Sequence, residues 1–195
     1  MMKRLYIDGS ARGMTVGCGI AIVDLNHLAE PFSSYKYMPV TESIYGEYYA
    51  MFEALRIIKE RKYRIAVINT DNQHFFSMFE KIKGVFVMKK PISEVPVDLQ
   101  PLINSIHSLL YTISRNSRSR LVIEKACEDK KEDVLYRNIA HYESRRYLSE
   151  VDDIYLENND LLLHDNVKNK SKLNRLSAKT KTLKEIIDED SVISV

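Results

Sequence analysis

Hydrophobic residues in the first forty positions occur in short runs and loose alternation, a pattern typical of β-strands. Residues 5–7 are an apolar run that stops at residues 8–10 (Asp-Gly-Ser), which predicts a strand ending in a turn. Residues 16–23 are small, apolar and β-branched, and residues 33–40 alternate loosely, so each segment predicts a further strand. The links between the three segments are short, whereas parallel strands need long crossovers. The pattern therefore predicts three antiparallel strands.

The hydrophobic period changes after residue 43. From Ser43 to Lys59, apolar side chains recur at spacings of three and four, which predicts an amphipathic helix. Residues 65–68 (Ile-Ala-Val-Ile) are a continuous apolar run, expected of a strand buried on both faces. There follow a predicted helix over residues 72–79, a helix after Pro101, a strand at residues 121–123 and a helix over residues 134–148. The order predicts an α/β fold in which helices flank a mixed five-stranded sheet.

Composition places the chain among ordinary globular proteins. It has 195 residues, 45% hydrophobic and 29% charged, with a formal net charge of +2. No apolar stretch approaches the roughly 18 residues of a membrane span, and no apolar leader follows the first residues. The two cysteines have no partner at metal-ligand spacing. We therefore expect a cytoplasmic protein without membrane association.

The last 46 residues differ from the rest in charge pattern. Residues 150–167 contain six acidic residues and no Lys or Arg, whereas residues 168–184 contain seven Lys or Arg and no acid. We expect a domain over residues 1–149 and a charged extension over residues 150–195, helical or partly disordered. The extension is either a solvated surface segment or a helix that grips nucleic-acid phosphates.

Three carboxylates stand where chemistry is expected in such a fold. Asp8 and Asp71 each follow an apolar strand, and Glu47 lies in the first turn of the predicted first helix. If the two strands are parallel neighbours, both aspartates emerge at the edge where open α/β sheets bind ligands. Taken singly, each residue also has an ordinary structural role as a turn, cap or helix-dipole residue.

The local motifs resemble those of type 1 ribonucleases H of bacteria and archaea. The family's Asp-Gly-Ser and its Gly-rich second strand are matched by residues 6–10 and 17–21. Its helix motif A-E-x-x-A-x-x-x-A-L is matched by residues 46–55 (GEYYAMFEAL), and its T-D-S-Q by residues 70–73 (TDNQ). The resemblance covers residues 3–148 and implies a ribonuclease H-like sheet, antiparallel in its first three strands and then parallel.

The resemblance also implies an activity, which is endonucleolytic hydrolysis of the RNA strand of RNA–DNA hybrids with two Mg²⁺ or Mn²⁺ ions. Asp8 would bridge the two metals, and Glu47 and Asp71 would complete one site. Two rivals remain, both on the same fold. One is a nucleic-acid-binding domain with weak or no catalysis, and the other is a nuclease that acts on a different nucleic acid.

The fourth expected ligand departs from the family pattern. The family carries an Asp in its last helix, within N-x-x-A-D, and this chain has His141 at the aligned position. Neutral imidazole is a competent metal ligand, so His141 is expected to complete the site and to favour Mn²⁺. The alternative is a packed or surface histidine, with Asp133 or Glu143 as the substitute ligand.

Substrate contacts follow from the same resemblance. Gly9, Ser10, Arg12, Asn72 and Gln73 are expected to face the RNA strand, with helix capping as the alternative role of the last two. Exposed cations form a second group of candidate phosphate contacts: Lys89, Lys90, Arg115, Arg118 and Arg120. Such cations are also common on solvated surfaces.

Overall fold

The computed structural model describes residues 2–38, 42–126, 131 and 133–146. The strands are β1 (Met2–Arg12), β2 (Thr15–Val23), β3 (Ala29–Tyr37), β4 (Ile65–Thr70), β5 (Phe79–Ile82), β6 (Val85–Met88) and β7 (Arg120–Lys125). The helices are α1 (Ser43–Glu60), α2 (Gln73–Met78), a 3-10 turn (Ile92–Glu94), α3 (Gln100–Arg115) and α4 (133–146). Within these ranges no helix is long and apolar enough to cross a membrane. The predicted extension over residues 150–195 lies outside the described residues.

The main sheet has five strands in the order β3-β2-β1-β4-β7. β1 pairs antiparallel with β2, and β2 with β3, whereas β4 pairs parallel with both β1 and β7. The short links between the first three strands account for the antiparallel half, and the helical crossovers account for the parallel half. The predicted mixed sheet is confirmed.

Strand ends differ from the predicted ones. The first strand does not stop at residues 8–10, because β1 continues to pair with β2 as far as Arg12↔Thr15. Its parallel pairing with β4 does stop early, at Tyr6↔Asn69. Asp8 therefore lies within β1 but two residues beyond the point where β1 and β4 separate. The third strand, predicted over residues 33–40, begins earlier, at Ala29.

A small hairpin between α2 and α3 is absent from the predicted order. β5 and β6 pair antiparallel through a two-residue turn at Lys83 and Gly84, whose φ angles are 49° and 87°. Positive φ at both positions is the geometry of the tight turns that suit hairpins. The four-residue strands are too short for a hydrophobic period to reveal them.

The helices cover both faces of the sheet. The large core joins side chains of β1 and β2 to α1 and α3 on one face, and a smaller cluster of Tyr6, Ala21, Val23 and Tyr136 joins the other face to α4. Gly19 of β2 allows α4 to approach, because a Cβ there would overlap the carbonyl oxygen of Ala140. This close docking places α4 beside the end of β1.

Candidate active site

The register of the parallel strands brings the two predicted aspartates together. The last β1–β4 pair is Tyr6↔Asn69, and the same register continued by two residues sets Asp8 opposite Asp71. Each aspartate follows the last residue of this pairing by two positions, so both lie at the same edge of the sheet. Both line one cleft of about 280 Å³, with Arg137, Asn138 and His141 on its α4 side. The edge is the one expected from the sequence.

Glu47 lies one turn further into α1 than predicted, and it does not line the cleft but is near enough to feel the charges of Asp71 and Asp8. Gly9 and Gly46 let the two backbones touch, since a Cβ on Gly9 would overlap the carbonyl carbon of Gly46. Burial and, after it, the negative charges of Asp71 and Asp8 together raise the pKa of Glu47 to about 6. The three carboxyl groups therefore act on one another electrostatically.

α4 supplies two hydrogen-bonding partners to Asp8. Its Oδ2 accepts a 2.7 Å hydrogen bond from Ser144 Oγ, and Nδ1 of His141 lies 3.0 Å from the same oxygen. A carboxylate can only accept, so Nδ1 is the donor in this contact and Nε2 is the ring nitrogen that Asp8 does not engage. His141 is half exposed, at 52%, and lines the cleft. The structure thus brings His141 to the site, in contact with Asp8.

Arg137 places a positive charge inside the cleft. Its Nη2 donates a 3.1 Å hydrogen bond to Oδ2 of Asp71. The arginine side chain is 27% exposed and the aspartate 50%, so water screens the ion pair only partly. Arg137 therefore contacts Asp71, while His141 and Ser144 contact Asp8.

The substitute ligands considered for the fourth position lie elsewhere on α4. Asp133 is buried and accepts a 2.5 Å hydrogen bond from the hydroxyl of Tyr6. Glu143 is 8% exposed and lies 3.5 Å from Arg146. Neither carboxylate is among the residues that line the cleft, whereas His141 is, and the choice of the fourth ligand stays a prediction.

Three of the expected substrate contacts belong to β1. Gly9 faces the start of α1 through its backbone, and the hydroxyl of Ser10 donates to the carbonyl oxygen of Ser144 on α4. Arg12 is exposed at the turn between β1 and β2. Gly9 thus packs β1 against α1, and Ser10 joins β1 to α4. The contact of these two residues with RNA stays a prediction.

The other two expected contacts begin α2. Asn72 is buried and caps the helix, with its Oδ1 accepting a 2.8 Å hydrogen bond from the backbone nitrogen of Phe75. Capping, the alternative role, is thus what the structure shows for Asn72. Its Nδ2 is buried without a hydrogen-bond partner among the described residues. Gln73 is exposed and free of this constraint on its orientation, so it stays a predicted contact.

The donor chemistry of the cleft suits a divalent cation. Carboxylate oxygens suit Mg²⁺ and Mn²⁺, imidazole nitrogen suits Mn²⁺, and a cation would offset the repulsion that raises the pKa of Glu47. The present spacing is not that of a closed site, because no group of three or more His, Cys, Asp or Glu among the described residues is arranged to hold a metal ion. Arg137 competes with a cation for Oδ2 of Asp71.

Solved structures with the same architecture identify the fold, although no family model and no curated protein matches the sequence. RNase H1 of the archaeon Halobacterium salinarum NRC-1 superposes with a TM-score of 0.51 at 14% identity, covering 77% of this chain and 99% of that one. The chain has the ribonuclease H fold. The N-terminal RNase H domain of Rv2228c from Mycobacterium tuberculosis, solved as a fusion with maltose-binding protein, gives 0.50 at 14% identity, covering 77% and 98%. LC11-RNase H1, isolated from compost by a metagenomic approach, gives 0.50 at 19% identity, covering 75% and 98%.

Two residues of this ribonuclease H fold were missed by sequence reasoning. Arg137 and Ser144 contact Asp71 and Asp8, yet neither was predicted to belong to the site. They lie four residues before and three residues after His141, so all three share one face of α4. Their spacing from His141 could have predicted that Arg137 and Ser144 also face the site.

Proposed function

We propose that this protein is a metal-dependent endonuclease that cuts the RNA strand of RNA–DNA hybrids. The observation that carries the proposal is that Asp8 and Asp71 line one cleft of a ribonuclease H fold and that burial, followed by their charges, raises the pKa of Glu47 to about 6. Perturbed acids that converge in a cleft are typical of functional sites. The similarity in fold to RNase H1 structures supports a ribonuclease, and the motif resemblance supports the hybrid as its substrate.

The roles of the residues follow from their chemistry. When bound, two Mg²⁺ or Mn²⁺ ions would activate a water and neutralise the leaving oxygen of the phosphodiester. Asp8, Glu47 and Asp71 would hold these ions, and Nε2 of His141 is the nitrogen that could join them. Ser144 keeps Oδ2 of Asp8 oriented toward the cleft through its 2.7 Å hydrogen bond. Arg137, once released from Asp71, could pair with a substrate phosphate.

Hybrid recognition would depend on shape rather than on base sequence. A hybrid presents a wide minor groove with 2′-hydroxyls on one strand only, and proteins read such duplexes through those groups and the phosphates. Arg12 and Gln73 are exposed and can make such contacts. Backbone groups near Gly9 are the remaining predicted contacts on the RNA side.

A binding domain without catalysis is the second candidate, and one observation favours it. Asp71 is paired with Arg137, so a cation of the protein itself already neutralises part of the cluster, and Oδ2 of Asp8 is already in contact with His141. A protein that kept these pairs permanently would bind nucleic acid without cutting it. The two candidates differ in whether added metal displaces the arginine.

A substrate panel separates the candidates. The purified chain is incubated with a labelled RNA–DNA hybrid, double-stranded RNA or double-stranded DNA, each with Mg²⁺, Mn²⁺ or EDTA. We expect internal cuts in the RNA strand of the hybrid, in Mn²⁺ more than in Mg²⁺, and none in EDTA. Glu94→Gln, which changes an exposed carboxylate in the 3-10 turn, serves as the matched control and should cut normally.

Two outcomes would contradict the proposal in different ways. Hybrid binding without cleavage in either metal would favour the binding domain. Faster cleavage of either homoduplex than of the hybrid would assign the site to a different nuclease activity.

A further inference from the structure

A second charged surface lies at the opposite end of the sheet from the carboxylates. The C-terminal ends of α1 and α3 and the starts of β4 and β7 enclose a hollow of about 570 Å³. A second hollow of about 310 Å³ shares Arg64, Arg118 and Ser119 with the first. We call the two hollows together the basic groove, after its cations: Lys59, Lys62, Arg64, Arg118 and Arg120.

The charges of the basic groove are not balanced by the protein around it. No acidic side chain lines either hollow, and within the described residues none of the five cations forms an ion pair. The ends of α1 and α3 attract cations, but each helix C-terminus carries only about half a negative charge. Five cations exceed that attraction several-fold, so helix capping alone does not account for them.

The fold holds part of this cluster in place. The backbone nitrogen of Arg120 donates a 2.7 Å hydrogen bond to the carbonyl oxygen of Arg64, which joins the starts of β4 and β7. Lys62 adopts a left-handed backbone conformation, with φ of 51°, directly after α1. Its backbone nitrogen donates a 3.3 Å hydrogen bond to the carbonyl oxygen of Lys59, so the turn that ends α1 fixes the backbone of Lys62.

An aromatic ring lies on the same helix as one wall of the groove. Tyr111 is 44% exposed, and the guanidinium of Arg115 lies 5.3 Å from the centre of its ring. Thr112 and Asn116, one position further along α3 than these two residues, line the larger hollow. Tyr111 itself lines neither hollow, and its hydroxyl accepts a 2.5 Å hydrogen bond from Arg115. Proteins bind single-stranded nucleic acid by stacking bases on exposed rings and pairing phosphates with cations.

We propose that the basic groove binds a single strand of nucleic acid through its sugar–phosphate backbone, with Tyr111 stacking a base. The choice of nucleic acid over another polyanion rests on the proposed function. β4 advances about 3.3 Å per residue, so Arg64 and Asp71 lie about 23 Å apart, and the groove is a site separate from the cleft. It would hold a single-stranded flank or a second strand while the cleft holds the hybrid.

Strand binding is measured by fluorescence anisotropy with the full chain in EDTA, so that cleavage does not interfere. The probe is a fluorescein-labelled oligothymidylate of about 12 nucleotides, a length within the usual site size. The test variant is Arg64→Gln/Arg118→Gln, and the matched control is Lys83→Gln/Lys131→Gln, which also removes two exposed cations. Affinity is recorded at several salt concentrations.

The test variant should bind about tenfold more weakly, and the slope of log affinity against log salt should fall in magnitude by about 1.4, for two lost phosphate contacts. Tyr111→Leu should weaken binding by about tenfold with an unchanged slope, because stacking is not ionic. The control should keep the wild-type affinity and slope. Equal losses in the test and control variants would overturn the proposal.

Competition decides the class of ligand. Double-stranded DNA that competes as well as the unlabelled strand, or ATP that displaces the probe at micromolar concentration and constant ionic strength, would also overturn it. Hybrid cleavage by the same proteins is followed in parallel. If cleavage is absent but Arg64→Gln/Arg118→Gln still weakens strand binding, only the proposed function fails. If cleavage is normal and this variant binds the strand like the control, only the groove assignment fails.

Discussion

Replacing Glu47 by glutamine should stabilise the metal-free protein near neutral pH. The pKa of Glu47 rises from 4.5 to about 6, first through burial and then through the charges of Asp71 and Asp8. One pKa unit corresponds to about 1.4 kcal/mol, so ionising this carboxyl in the folded state costs about 2 kcal/mol. Solvent reaches part of the side chain, so we expect Glu47→Gln to gain about 1 kcal/mol of unfolding free energy.

The sign of the pH dependence follows from the direction of the shift. Below the ordinary pKa of 4.5 the carboxyl is protonated in both folded and unfolded chains, so Glu47 imposes no cost there. As the pH rises from 4.5 to about 6 the unfolded chain ionises while the folded protein keeps the proton, so wild type loses stability relative to the variant over that range. The stability difference between the two proteins should therefore appear between these pH values and stay constant above them.

Urea unfolding followed by circular dichroism measures the difference, with EDTA present, at several pH values from about 4 to 7. Glu94→Gln is the control, and the same series in Mn²⁺ should reverse the order, because metal stabilises only a folded protein that can bind it. A Glu47→Gln protein that is less stable than wild type near pH 7 without metal would refute the electrostatic cluster.

Three further predictions concern α4 and its contacts. Arg137→Gln should tighten Mn²⁺ binding several-fold in calorimetry, since the metal no longer competes with an ion pair, whereas Arg145→Gln on the exposed side should not. His141→Asp should shift metal preference in cleavage from Mn²⁺ toward Mg²⁺, and His141→Ala should leave weak, Mn²⁺-dependent cutting. If wild type and both variants show the same dependence on the two metals, His141 does not belong to the site. Gly19→Ala should lower the thermal midpoint sharply, because its Cβ meets the carbonyl oxygen of Ala140, and an unchanged midpoint would contradict the close docking of α4.

The spacing of hydrophobic residues predicted the main helices and strands because these elements are long enough for the pattern to recur. The 18 residues of α1 and the buried run of β4 each carry a pattern that allows one assignment. The strands of the β5–β6 hairpin have only four residues each, and their turn depends on backbone angles at Lys83 and Gly84. Short elements of this kind leave little periodic signal.

The aspartates of the site could be placed together from sequence because strand order and register are regular. Asp8 and Asp71 are joined by a parallel pairing whose register continues to both. The Arg137–Asp71 ion pair could not be placed in this way, since it depends on how closely α4 lies on the sheet. That distance is set by Gly17 and Gly19, which make room for the helix backbone and have no visible link to a site.

The most direct test of the central claim compares cleavage and binding of one hybrid by wild type, Asp8→Asn and Asp71→Asn in Mn²⁺. Each substitution removes one ligand charge and changes few contacts, so hybrid binding by gel shift should stay close to that of wild type. Cleavage should fall below detection in both variants if these carboxylates hold the metal ions. Cleavage at the wild-type rate in both variants would contradict the assignment of the cleft as a metal-dependent nuclease site.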